Sequence, residues 1–315
     1  VPQDNLSAAV KVDFEITDET KAYAQVHYSR SETFNLKSPE DDYEGAAVSV
    51  LDPETGDPAG FVSPGYIPID NPYVPQEILD SNPYRDLIYW DRRFAEVGPV
   101  STDNTRETIR TWAGLQGYAF NGEWEWDISV GYGKFHQNQV RLNELDIFKV
   151  KEALNAEQLA DGTIQCKNPD ARADGCVALN LFGEGSITPE MADYIRVNPT
   201  LDNYNEQMNA MGYITGDLFE LPAGVVSAVF GAEYRKDTQE MKTDAAMKRG
   251  GITWNVVPAF KGSVDVREAF AEFSVPLLRD QFAAKNLSAD VSARFADYSW
   301  SNTGLVQSYK VGLIY

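Results

Sequence analysis

The side chains that could do chemistry in this sequence are mostly carboxylates. Glu125 and Asp127, or Glu268 and Glu272, are the kind of pair a glycosidase uses when the two flank a cleft. Their spacing is even, so in a strand both members fall on one face, as on a hydrated polar surface. Arg235, Arg267 and Arg294 read as counter-charges to these acids, with a substrate contact as the sharper role for any one of them. The two cysteines, Cys166 and Cys176, close a short turn-rich loop. They are expected to form a disulfide, which places the chain in an oxidising compartment. Two unpaired thiols in a cytosolic protein are the alternative. The two histidines, His27 and His136, lie far from the cysteines. Metal sites need several converging donors, so no metal and no cofactor are expected. Gly-x-Gly-x-x-Gly, P-loop, His-Glu-x-x-His and Gly-x-Ser-x-Gly motifs are all missing from the sequence. No catalytic residue is assigned, and an enzyme is not expected.

Composition narrows the class. The 315 residues carry a net charge of −21 and a mean hydropathy of −0.38. Phosphate binding needs a basic face, so nucleic acid is excluded as a partner. No apolar run approaches the ~18 residues of a membrane-spanning helix. A transmembrane barrel stays open, because its strands alternate and look hydrophilic on average. Acid is dense at Glu40, Asp41, Asp42, Glu44, Asp52, Glu54 and Asp57. That stretch reads as a solvated loop, with a cation-attracting vestibule as the sharper reading. Val1-Pro2-Gln3-Asp4 is not a signal peptide, so a processed product or a fragment is expected.

The elements that position these groups follow from period-two alternation. Val10, Val12, Phe14 and Ile16 alternate with Lys11, Asp13 and Glu15; after Asp18-Glu19, Ala22, Ala24, Val26 and Tyr28 alternate with Lys21, Tyr23, Gln25 and His27. The pattern returns at 122–136, 223–235, 264–278 and 286–296. It predicts about ten strands, longer than the ~5–6 residues usual in soluble sheets and near the ~9–11 of tilted membrane-spanning strands. Trp112, Tyr118, Phe120, Trp124, Trp126, Tyr298 and Trp300 sit near the expected strand ends, as interfacial girdles would. Short turns are expected at Asp18-Glu19, Asn121-Gly122 and Glu220-Leu221-Pro222, and long loops at 35–85, 141–203 and 242–263. With 86–120 read as a hairpin, all short turns share one side only if 35–85 hides one more strand or the 86–120 hairpin stands partly outside the membrane. Within the second loop, 146–160 predicts a helix, and Thr188 followed by Pro189 predicts the N-cap of another.

Several stretches resemble the barrel of proteobacterial TonB-dependent receptors. They are Asn71-Pro72-Tyr73-Val74-Pro75, Arg92-Arg93-Phe94-Ala95-Glu96-Val97-Gly98-Pro99, Gly175-Cys176-Val177-Ala178-Leu179-Asn180-Leu181-Phe182-Gly183, Gly216 to Gly224, Phe230-Gly231-Ala232-Glu233-Tyr234-Arg235 and Glu268 to Leu277. Their order from about residue 70 onward carries the resemblance. No stretch resembles the family's plug or its TonB-contacting segment.

The resemblance implies an all-β fold, an antiparallel transmembrane β-barrel segment with long extracellular loops. Residues 1–315 would form part of one barrel domain, without plug or closing strands. It implies an outer-membrane location and TonB-coupled uptake of a ferric siderophore, haem, cobalamin or oligosaccharide. The expected partners are the TonB complex, reached through the plug, the transported ligand and outer-membrane lipid. No substrate-binding residue is assigned. Tyr43, Phe61, Tyr66 and Tyr73 would stack on ligand or simply order their loop, the second being favoured. A passive porin-like channel, a soluble secreted β-protein and a purely structural membrane protein are the alternatives.

Overall fold

The computed structural model describes residues 2–81, 86–282, 284–300 and 302–315. The last four residues of the expected 35–85 loop, and Val1, lie outside the described residues. Nine long strands form one sheet: β1 (Gln3–Thr17), β2 (Thr20–Pro39), β3 (Pro99–Ala119), β4 (Trp124–Leu142), β5 (Thr200–Leu221), β6 (Gly224–Thr243), β7 (Phe260–Gln281), β8 (Ala284–Tyr298) and β9 (Leu305–Ile314). Each pairs antiparallel with the strand before it, so sheet order equals chain order. Among the described residues β1 and β9 do not pair with each other, and the sheet is open. The chain is all-β with short helices, none long and apolar enough to cross a membrane among the described residues.

Pairing in register puts opposite residues on the same face. One rung runs Phe14, Ala22, Leu115, Ile128, Gly212, Ala232, Ala269 and Phe295. This apolar face stands open: Phe14 is 66% exposed and Ile128 60%. On β4 it extends from Trp124 to Tyr132, about the span a tilted strand needs to cross hydrocarbon. Toward the long loops it ends at tyrosines whose hydroxyls donate to carboxylates, Tyr28 to Glu107 at 3.0 Å and Tyr234 to Asp265 at 2.6 Å. Beyond them the same face turns ionic, with Lys134–Glu206 at 3.2 Å, His136–Asp202 at 2.7 Å and Lys261–Glu240 at 3.2 Å.

The connections divide by side. Residues 18–19, 120–123 and 222–223, and the link from Gln281 to Ala284, join strands at one end, and the described residues of 40–98, together with 143–199 and 244–259, loop out at the other. Phe120, Asn121 and Gly122 all take positive φ, which explains the Asn-Gly pair at that turn. Residues 86–120 form no hairpin of the sheet, and their first part stands in the loops. Only Pro99–Ala119 spans the sheet, so the short turns fall on one side with no extra pass. Residues 87–93 alternate because they pair inside the loops: Leu87–Ile88 with Ile67–Pro68, and Asp91–Arg93 with Asp41–Tyr43.

The core sits in the loops. Val62, Ile67, Phe94, Leu145, Ile147, Leu154, Leu179 and Ile195 are all buried in one cluster. Each such side chain contributes ~1.5–3 kcal/mol on burial. Two loop helices carry much of it, α1 (Ile147–Leu154) and α2 (Pro189–Ile195). Helix α1 begins after Asp146, whose carboxylate accepts from the Lys149 N–H, and ends at Leu154 rather than continuing to 160. Residues Ala156–Gln158 instead pair with Ile164–Cys166. Helix α2 starts as its sequence predicts, with Thr188 as N-cap and Pro189 in the first turn.

Candidate functional site

Two regions carry groups that bear on function, the loop body and the polar face beneath it. In the loop body, motifs distant in sequence fasten one another. Asn71 is buried; its Nδ2 donates to the Leu154 carbonyl at 2.7 Å, capping the end of α1, while its Oδ1 accepts from Tyr73 N–H. Arg92 donates to the carbonyls of Leu181 (2.6 Å) and Gly183 (2.8 Å) and pairs with Glu96 at 2.5 Å. Glu96 in turn accepts from Gly185 N–H. Cys166 and Cys176 form the expected disulfide, with Cα atoms 6.2 Å apart, packed against Ala156 and Ala178. The third loop is stitched to the other two by bridges Val50↔Gly250 and Asp146↔Ile252. Gly250 (φ 71°) must be glycine there, because a Cβ would collide with the Ser49 carbonyl.

At the base of this body lies a set of carboxylates. Glu144 is 1% exposed; Arg141 pairs with it at 2.5 Å, and the Thr253 hydroxyl donates to its other oxygen. Asp146 pairs with Arg249 at 2.7 Å. Glu40 makes no ion pair among the described residues, although Arg141 and Lys37 weakly oppose its shift. Burial first, then the charges of Glu144 and Asp42, push its carboxyl up to about 7. Burial likewise raises Asp42 to about 6, reinforced by Asp41 and Asp91 and opposed by the Tyr43 N–H. Its Oδ2 is buried without a hydrogen-bond partner. Both carboxyls thus titrate nearer neutrality than ordinary carboxylates.

The polar face is built differently. Glycines form a floor on which large side chains lie. A Cβ on Gly114 would meet the Tyr23 ring at 2.5 Å, and one on Gly231 would overlap Phe270. Tyr23 lies across Gly114 and donates to Asp127 at 2.9 Å; Arg294 stacks over Phe270 at 5.3 Å and reaches Glu268 at 3.1 Å. Between these, a groove of about 450 Å³ runs past Tyr23, Trp112, Asn209 and Tyr213, and continues toward the loops as a cavity of about 740 Å³. The two share Arg110, Gly133 and Gln207.

The remaining sequence readings sort as follows. Arg235 and Arg294 lie on the polar face, Arg235 paired with Asp237 at 3.0 Å. Arg267 does not. Its register with Tyr234 and Asp297 places it on the other face, at the ionic border. Glu125, Asp127, Glu268 and Glu272 do share the polar face, spread along strands rather than flanking a cleft. His27 stacks on Trp112 at 5.6 Å. Register puts Trp112 on the polar face, and likewise Tyr118 opposite Glu125 and Tyr298 opposite Val266, away from the girdle expected of them. His136 stacks on Tyr204 at 4.3 Å, at the ionic border. Tyr73 packs into the loop core, whereas Tyr43, Phe61 and Tyr66 are exposed. Sequence reasoning missed the amides of β5: Asn203, Asn205, Gln207 and Asn209 occupy four successive polar-face positions. Their every-second-residue spacing was the available signal. No protein-family model matches the chain, and no curated protein matches it.

Proposed function

We propose that the chain is part of a transmembrane β-barrel of a Gram-negative outer membrane, and that this barrel serves a TonB-coupled uptake receptor. The observation that carries the reading is the apolar band, continuous across the paired strands and bounded by tyrosines and then ion pairs on the loop side. In water such a surface is a large liability. In lipid it is the expected outer face, and the polar face becomes a hydrated lumen. Lipid also demands that every backbone group be paired, so β1 and β9 would meet further strands or another chain. Short turns would face the periplasm and the packed loops the exterior. The ordered motif resemblance favours a receptor over a passive porin. Uptake of this kind needs no covalent chemistry by the chain; its partners are the TonB complex, acting through a plug, the ligand and lipid.

The test is fractionation followed by uptake. The protein should partition with outer membranes, and ligand-dependent growth through it should disappear when TonB is deleted. Growth unaffected by TonB together with steady conductance in a planar bilayer would establish the porin instead. Recovery in the soluble fraction would sink both.

A further inference from the structure

We infer that the groove on the polar face is a binding site for a neutral, polyhydroxylated ligand, an oligosaccharide. The inference rests on the uptake reading and chooses among its ligand classes. It also moves the contact from the loops to the wall of the sheet.

The lining carries the choice. Asn205, Gln207 and Gln239 project from neighbouring strands into the larger cavity. Each amide offers both donors and an acceptor, matching a hydroxyl that must donate and accept at once. Phe135 and Trp300 line the same cavity, and Tyr23, Trp112 and Tyr213 line its continuation. Aromatic rings beside amides suit a ring with apolar C–H faces and polar edges. The charges balance locally. On the polar face the cavity wall carries Arg110 and Asp237, and Asp237 is already held by Arg235 at 3.0 Å and by the Gln207 amide at 2.8 Å, while the Lys134–Glu206 pair points to the other face. In a chain of net charge −21, the polar-face acids lining the groove are few, Asp237 and Asp127, and each is already engaged, Asp127 by the Tyr23 hydroxyl. A ligand with several charges would find no matching cluster here, and its desolvation would go uncompensated. Gly114 and Gly131 are already covered by Tyr23 and Asn209, whereas at Gly133 a Cβ would meet nothing nearer than 3.8 Å, which leaves depth there for a ring. With a volume of about 740 Å³ in its upper part, the groove accommodates a few sugar units.

The test uses detergent-extracted protein and intrinsic tryptophan fluorescence. The probes are maltohexaose, cellohexaose and xylohexaose, with hexagalacturonate as the charged counterpart of equal length. At least one neutral hexaose should bind saturably, with hexagalacturonate about tenfold weaker or worse. Asn205→Ala combined with Gln207→Ala should weaken that binding about tenfold, the scale of one or two lost hydrogen bonds. Phe61→Ala in the exposed loop should leave it unchanged. Gln239→Ala serves as a second variant should the double substitution fail to fold, and should weaken binding on its own. Binding of hexagalacturonate equal to the neutral sugars overturns the inference. So does no binding by any neutral hexaose, or binding lost in Phe61→Ala and retained in the groove variants. Fractionation keeps the two proposals apart. Protein in the outer membrane that ignores the sugars fails only the ligand class, whereas soluble protein fails the uptake reading itself.

Discussion

The sheet and the loop body obey opposite rules. In the loop body apolar side chains close on one another and Phe94 and Ile147 have no exposure at all, while in the sheet Val12, Ile128 and Val130 stand more than half open. Polar groups differ in the same way. Buried Asn71 and Glu144 have protein partners in the loops, whereas the sheet places carboxylates such as Glu15 and Asp13 where solvent reaches them. The loop body is folded for water, with its own core. The sheet has two unlike faces, one apolar and open and one polar.

The contrast predicts where substitutions hurt. The largest effect is expected for Phe94→Ala, which should cost the loop body about 3–5 kcal/mol as a large core truncation. Limited proteolysis would show cleavage within 40–98 while the strands stay protected; cleavage spread over the strands would mean that sheet and loops are one cooperative unit. Next comes Ile128→Arg. In a bilayer it should cost about 2–4 kcal/mol near the midplane and little nearer the interfaces. Reversible unfolding from vesicles measures it, and a change near zero would mean that this face meets water. Removing the disulfide by Cys166→Ser with Cys176→Ser should cost about 2–3 kcal/mol, confined to the loops, as expected for so short a closed loop. A shift in strand stability by the same amount would contradict that confinement.

The smallest effect is a pH dependence. Glu40 and Asp42 hold their protons more tightly in the folded loops than in an unfolded chain. Their contribution is therefore complete at acid pH and is lost as pH rises through about 6 for Asp42 and about 7 for Glu40. Hydrogen exchange at the base of the 40–98 loop should accelerate across that window, and Glu40→Gln should flatten the response. Loosening on the acid side instead would show that the ion pairs of Glu144 and Asp146 dominate.

The strands were legible in the sequence because a face repeats every second residue, and pairing preserves that parity from Phe14 to Phe295. The loops were legible only in pieces. Thr188-Pro189 is a local signal and could be read. The alternation at 87–93 is equally local, but its partners are Ile67–Pro68 and Asp41–Tyr43, and no local pattern says which edge a strand will join. Helix α1 stops early because the next residues are taken by Ile164–Cys166. Residue type suggests a girdle for Trp112, Tyr118 and Tyr298 and the polar face for Arg267, where strand parity alone decides. The amides of β5 were overlooked since they look like ordinary polar alternation until the groove shows what they surround. The motifs that carried the family resemblance in the loops turn out to hold the loops together, Asn71 on Leu154 and Arg92 on Leu181, so they speak for architecture and not for ligand choice.

The bridge between Val50 and Gly250 has a mechanical meaning. Val50 hangs from the top of the β2–β3 pair and Gly250 from that of β6–β7, four strand spacings apart along the sheet, or ~19 Å at the usual spacing. A tie between two points on a bent wall behaves as a chord on an arc. It sets how far the wall can flatten, and therefore the radius at the rim, whatever the strands below would prefer. The loop end of this sheet is thus tied from above, and the loops limit how far β2–β3 and β6–β7 can part there.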